Sequence, residues 1–508
     1  RPYLGSAYYK LWQTLQTAGR TNEAAPYLEK FKQLRESPLN ETIELPQYNQ
    51  MGDLALALPL PARNTPPKAR FTLRAGPPRT LFVSPDSLGF APRGNTNLWP
   101  LAGFAIGDVD RDGIPDLLCA AERTDQTHRL LLLRGRTGGG SAESSGSTGL
   151  ENVPTAWAAA FGDFDNDEML DLAIVGPFGL RLYRGQGDGT FTDVTTSNRL
   201  DAATAAARCA LFLDADHDGD LDLYVGAQGG DQLWNNNTDG SFTNIAASAG
   251  LPTDSTTVAV LPGDLDGDRD TDLVLLREGQ PARIQINDLL GRYRTIDPEL
   301  PIRGDLGGVL QDFNGDGQLD LMALGTAPNG LQLFLGDGQG HFRRDTGFDA
   351  CARSASSWGS LRGLRAADVD HDGDLDVALF SGDGHLLLND GQGRFVFLPR
   401  VWPCPQGSTI AGAELVDLTG DLVADLLRIE RGPTNATLTL TPLSLSPPQT
   451  VVAVAPTGMR SRDKRTRSPA SGYGVMLTAR AGLREQRILY TGLNGGPCQS
   501  QVPAVLGL

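Results

Sequence analysis

The chain has 508 residues, a formal net charge of −17, 61 glycines, 33 prolines and 21% charged residues. So acidic a balance excludes a surface that tracks a phosphate backbone, so nucleic acid is not an expected partner, and the lack of any apolar run of about 18 residues excludes a membrane-spanning helix. The length predicts several turn-rich domains rather than one core, and Arg1 implies a start inside a longer product.

Residues 1–37 place Tyr8, Leu11, Leu15, Gly19, Ala24, Leu28 and Phe31 at helical spacing, which predicts two amphipathic helices turning at Gly19–Asn22. The pair resembles a tetratricopeptide unit, although any helical hairpin docked on the body that follows gives the same spacing. Residues 38–100 are a proline-rich connector with strand patterns at 53–58 and 70–74.

From there one nine-residue frame organises the sequence. Asp108, Asp110, Asp112 and Asp116 fall at positions 1, 3, 5 and 9, with Gly113 at position 6. The frame returns as Asp163, Asp165, Asp167 and Asp171, as Asp214, Asp216, Asp218 and Asp222, and as Asp264, Asp266, Asp268 and Asp272. It continues as Asp312, Asn314, Asp316 and Asp320, and as Asp368, Asp370, Asp372 and Asp376. A worn copy at 417–425 keeps Asp417, Asp421 and Asp425 but has Thr419 and Leu422 at positions 3 and 6. A period of about fifty residues marks stacked supersecondary units.

Hard oxygens on alternate residues of a tight loop suit Ca²⁺, which takes six to eight of them. Solvated Asp/Gly turns give a similar pattern in a single copy, but four carboxylates crowded into nine residues repel one another without a cation, and this recurs. Six copies are expected to bind Ca²⁺ and the seventh to lack it. Six ions would offset about twelve of the negative charges. Glu168 and Arg269 stand where the turn favours glycine, which predicts weaker binding there. Each loop lies between short apolar runs that read as strands, such as 104–107 and 171–175.

The frame resembles the FG-GAP/VCBS repeat family, whose members form β-propellers with a calcium loop between the first two strands of each blade. The likeness covers about 101–445 and includes second halves at 182–193, 233–242, 333–342 and 387–395, where two strands flank a Gly/Asp/Asn turn and an aromatic follows. It implies a mainly β fold with seven blades, closed by a strand borrowed from one flank. Residues 137–149, nearly all Gly, Ser and Thr, read as a flexible loop of the first blade. Residues 446–508 read as a small β domain that resembles the ASPIC/UnbV domain, through 472–482, 491–500 and the closing 505–508, after a basic run at 460–467.

Cys119 and Cys209 sit in apolar runs and read as buried strand residues, whereas Cys351 and Cys404 lie in connectors on either side of the sixth repeat and are candidates for a bridge. Cys498 is left over, or competes for either partner. His217 and His371 occupy position 4 of their loops and are expected to face solvent. No catalytic motif is present, so no catalytic residue is assigned. Calcium loops fill best where calcium is abundant, which predicts a periplasmic or extracellular location. Two functions follow: a calcium-stiffened scaffold that binds other proteins, within a multi-subunit or cell-surface assembly, or an enzyme acting on glycans in the propeller channel.

Overall fold

The computed structural model describes residue 12, residues 21–35, 72–84, 87–88 and, apart from short internal stretches of which 458–470 is the longest, 103–507. Seven antiparallel units follow one another round a ring, six of four strands and the first of five, in which Ser87–Leu88 adds a short strand beside Asp116–Glu122. Blade 2 shows the plan: inner strand Ala158–Gly162, then Asp171–Gly176, Gly179–Gly185 and Phe191–Asp193. The inner and second strands of blades 2 to 4 are buried almost throughout, because both faces of a blade pack on neighbours; alternation survives only toward the rim.

No single core exists. Apolar side chains gather in separate wedges between adjacent blades, for instance Ala160, Val175, Phe212 and Val225 between blades 2 and 3. In blades 2 to 6 the aromatic after the hairpin turn joins them, as Phe191, Phe242, Tyr293, Phe342 and Phe395. Phe242 of blade 3 meets Phe164 of blade 2 with ring centroids 5.9 Å apart, and Phe395 of blade 6 meets Phe313 of blade 5 at 5.9 Å. Both partners occupy position 2 of the preceding blade's loop, so the repeat frame also carries the interlock.

The ring closes with a strand from the N-terminal flank. Arg79–Ser84 pairs antiparallel with Ala436–Thr441 as the fourth strand of blade 7, and Thr72–Ala75 pairs with Leu443–Ser446 beside it. Deleting 72–84 should leave the outer edge of blade 7 unpaired, lowering the melting temperature and raising light scattering through edge-to-edge association. A truncated chain with the parent's melting curve would show the closure to be dispensable.

Several expectations need correction. Gly140–Glu143, inside the expected loop, is the fourth strand of blade 1 and pairs with Leu133–Arg136. Ladder bonds use backbone alone, and Gly138 and Gly139 supply the positive φ of the turn (77° and 79°), so poor side-chain pattern did not prevent a strand. The bridge between Cys351 and Cys404 is not formed, and none of the five cysteines is in a disulfide. Cys351 packs in the wedge between blades 5 and 6 and Cys404 in the wedge between 6 and 7, on opposite sides of one blade. Cys119 and Cys209 are buried strand residues as expected.

At the N-terminus, Thr21–Arg35 is a helix carrying Ala24, Leu28 and Phe31, while the first helix of the expected hairpin, apart from the helical Trp12, lies outside the described residues, as does the strand pattern at 53–58. The C-terminal residues form two two-stranded ladders, Val451–Val454 with Ala504–Gly507 and Val475–Ala481 with Arg484–Tyr490. They pack into the loop-side mouth of the central channel. Gln499 and Gln501 bridge in parallel to Ala160 and Gly107, on the free edges of the inner strands of blades 2 and 1. The Gln499 amide donates to Phe212 O at 3.0 Å and accepts from Phe212 N at 2.9 Å in blade 3, and Gln311 of blade 5 does the same to Leu489. Inner-strand edges in a propeller carry unpaired peptide groups, and this segment satisfies them.

Candidate functional site

Seven loops of identical frame emerge between the first two strands of the blades, and their backbone follows from two left-handed residues. Position 6 has positive φ in every copy, including the non-glycines Glu168 (70°), Arg269 (75°) and Leu422 (65°). Position 4 is left-handed too, at Arg111, Asn166, His217 and His371 and at Gly267, Gly315 and Gly420. The glycine at position 4 in three copies was the sequence signal for this second turn.

The position-1 carboxylate closes the loop by accepting the position-6 N–H, at 2.8 Å from Gly113 to Asp108 and 2.8 Å from Glu168 to Asp163. Position 5 accepts the position-7 N–H, as Asp112 does from Ile114 and Asp372 from Asp374. Position 9 is the most buried member and does a second task. Both oxygens of Asp116 take backbone N–H groups, Oδ2 from Val109 and Oδ1 from Gly135, pinning the loop to the third strand. The same pair of bonds recurs at Asp171, Asp222, Asp272, Asp320 and Asp376, and at Asp425 of the worn copy.

Side-chain oxygens converge within 4.8 Å in five loops: Asp108, Asp110 and Asp116; Asp163, Asp165 and Asp171; Asp214, Asp216 and Asp218; Asp264, Asp266 and Asp272; Asp368, Asp370 and Asp376. In these sets Asp112, Asp167, Asp268 and Asp372 at position 5, and Asp222 at position 9, stand outside the tightest group. In blade 5 Asn314 takes position 3 among Asp312, Asp316 and Asp320, its Oδ1 accepting Asp316 N at 2.8 Å.

Burial dominates the electrostatics. Desolvation, reinforced by the neighbouring aspartates, pushes Asp272 up to about 8 and Asp320 and Asp368 to about 7, and raises Asp171, Asp214 and Asp376 well above the carboxylate range. Asp214 Oδ1 is buried with no hydrogen-bond partner, facing Asp216 and Asp218. An orphaned buried carboxyl oxygen beside two more aspartates fits a hard cation, whose charge would favour the ionised form.

The histidines at position 4 do not face solvent. His371 is 2% exposed, and His217 is half-buried against the next blade, its Nε2 3.6 Å from Asp270 Oδ1. Position 4 leans on the following blade because its left-handed backbone turns the side chain along the ring; Asn166 likewise donates to Asp220 of blade 3 at 2.8 Å. His385 is buried, accepts Arg400 N at Nδ1 and therefore offers its Nε2 proton to Ser381 Oγ at 3.0 Å, a filled structural role.

The C-terminal segment touches several of these loops. Ser471 Oγ accepts Asp163 N at 2.9 Å, and Gln486 donates to Asp368 Oδ2 at 2.9 Å. Sequence reasoning missed Gln486, Gln499 and Ser471, since lone polar residues hundreds of positions from their partners leave no local pattern. A cavity of about 980 Å³ remains between this segment and the loops of blades 7, 1 and 2, with Asp417, Asp108, Asp163, Tyr490 and Gln501 in its wall.

Residues 108–174, 163–225, 214–275 and 312–379 match the family model described as FG-GAP-like repeat. Human cartilage acidic protein 1 is 26% identical over 238 residues, which is 44% of this chain and 34% of that protein, and the Xenopus tropicalis protein of the same name is 28% identical over 159 residues, 28% of this chain and 24% of that one. The chain thus spans about a third of the human relative's length or less. Among solved structures, an Agrocybe aegerita lectin that recognises non-reducing terminal N-acetylglucosamine aligns with TM-score 0.42 and 18% identity over 60% of this chain and 82% of that one. The Photorhabdus luminescens Tc holotoxin pore aligns with TM-score 0.33 and 15% identity over 68% of this chain and 17% of that one. With its loops, blades and repeat matches taken together, the chain carries FG-GAP-like repeats folded as a seven-bladed β-propeller.

Proposed function

We propose that the chain is a calcium-stiffened protein-interaction module acting outside the cytoplasm, with no catalytic role. The observation that carries it is the recurrence of converging carboxylates in five loops, with Asn314 completing a sixth set. Positions 1, 3, 5 and 9 of blades 1 to 6 would hold the ions, and a bound Ca²⁺ would supply charge neutralisation and a rigid tie between two strands. The loop at 417–425, with Thr419 at position 3, stays without an ion. Residues 446–508 are read as ASPIC/UnbV-like and 1–37 as tetratricopeptide-like, the latter a second surface for a partner protein.

The position of Gln486, Leu489, Gln499 and Gln501 against the inner strands and loops counts against a glycan-processing site in the channel, since these residues lie where a substrate would enter. Affinity capture of the full chain in millimolar calcium tests the reading: a stoichiometric protein partner lost in EGTA is expected, while hydrolase or lyase activity on a polysaccharide panel would refute it. Native mass spectrometry should show Asp218→Ala and Asp372→Ala each losing one Ca²⁺, with Asp421→Ala unchanged. Equal counts in all three would mean that these loops are not the sites.

A further inference from the structure

The loops differ in one respect that the nine-residue frame does not record. In blades 1 to 6 the third strand donates the N–H that caps the position-9 aspartate, and the residue just before that donor stands beside the loop. It is Arg134 in blade 1, Arg184 in blade 2, Asn235 in blade 3, Ile286 in blade 4, Leu335 in blade 5 and Leu388 in blade 6. Only in blades 1 and 2 is it a cation, and there it engages the position-3 carboxylate. Arg134 pairs with Asp110 and also donates to Asp188 O of the neighbouring blade at 2.6 Å. Arg184 spans two ligand positions, Nε to Asp165 Oδ2 and Nη2 to Asp167 Oδ2, both at 2.8 Å. In blade 3 the corresponding Asn235 also reaches Asp216, at 3.1 Å, but as a neutral amide that can turn its oxygen toward an ion.

We propose that Arg134 and Arg184 are built-in competitors of calcium, which make blades 1 and 2 the low-affinity, calcium-responsive sites of the ring while blades 3 to 6 fill first. The inference rests on the calcium reading above. A guanidinium held on one ligand carboxylate (Arg134) or two (Arg184) must be displaced before the ion is coordinated, and once displaced it still repels the ion from a few ångströms away. The left-handed backbone at Arg269 does not act in this way, because it is already formed in the folded loop and puts no positive charge on a ligand carboxylate. Blades 1 and 2 are neighbours, and blade 7 next to them has the worn loop, so the sector without tight calcium is contiguous. Its loops form one wall of the cavity of about 980 Å³ beside the C-terminal segment, so calcium concentration sets the charge of that wall.

The experiment is a calorimetric calcium titration of the full chain at physiological salt, with native mass spectrometry to count ions. Leucine is the residue that blades 5 and 6 carry at this place, so Arg134→Leu and Arg184→Leu suit the fold. Arg134 is less exposed than Arg184 (22% against 47% for the side chains), so its removal should tighten the blade 1 site about tenfold and that of Arg184 the blade 2 site about threefold, solvent screening weakening the second. The double variant should lose the weak class of two ions seen in the parent, and Leu388→Arg should add a third weak site. Without calcium the double variant should melt below the parent, having lost its internal counter-charge. A parent with six equivalent sites, or a weak class that persists in the double variant, would overturn the competition while leaving calcium binding intact. A parent that binds no calcium would overturn both.

Discussion

Chelation with EGTA should lower the melting temperature of the chain steeply, and elemental analysis of protein prepared without chelator should find calcium. Each ion that binds only the folded loop contributes RT ln(1 + [L]/Kd), about 2.7 kcal/mol at a hundredfold excess over Kd. Several such sites together rival the roughly 5–15 kcal/mol that holds a typical domain folded. A shift of roughly 10–20 °C follows at about 2 °C per kcal/mol for a chain of this size. The stripped loops explain the direction. Removing the ion returns Asp163, Asp165 and Asp171, or Asp368, Asp370 and Asp376, to oxygens within 4.8 Å of one another in a desolvated site. Blades 1 and 2 should suffer least, since Arg134 and Arg184 stay beside their carboxylates. Magnesium should restore little of the lost stability, because it keeps a smaller octahedral shell and gives up water reluctantly. An unchanged melting curve in EGTA together with calcium-free protein would defeat the calcium reading.

Asp425→Ala should destabilise the chain by about 3–5 kcal/mol in EGTA and in calcium alike, although its loop is expected to hold no ion. Asp425 is fully buried and accepts the N–H groups of Leu418, Thr419 and Leu443 at 3.0, 2.9 and 3.3 Å. Truncation leaves three backbone donors without an acceptor, each costing about 1–3 kcal/mol where water cannot reach. Asp421, at the middle of the same loop, accepts one N–H, from Val423, in an exposed position, and Asp421→Ala should change stability by under about 1 kcal/mol. Denaturant unfolding of the two variants with and without calcium measures both. If the two substitutions cost the same, position 9 has no structural task apart from the metal.

That contrast marks how far the sequence reaches. The frame from Asp108 to Asp116 and its copies declared the blade number, the site of every loop and the residue types able to hold a hard cation, because those properties lie within nine consecutive residues and a local turn aims them. The hairpin motifs after the loops, with Phe242 and Phe395 following the turn, declared the second half of a blade and its interlocking aromatic for the same reason. What the tertiary structure decided depends on contacts across the ring. The burial of His371, the separation of Cys351 from Cys404 by a whole blade and the pairing of Arg79–Ser84 with blade 7 are set by ring geometry, which no window of sequence contains. The placement of Gln499 on Phe212, 287 residues earlier, and of Gln311 on Leu489, 178 later, is of the same kind: a single amide that satisfies the peptide groups of a distant strand looks in sequence like any surface glutamine. Arg134 and Arg184 stand between the two cases. Both are plain in the sequence as strand residues, but only the register of the third strand against the loop brings them onto Asp110, Asp165 and Asp167, where charge makes them part of the site.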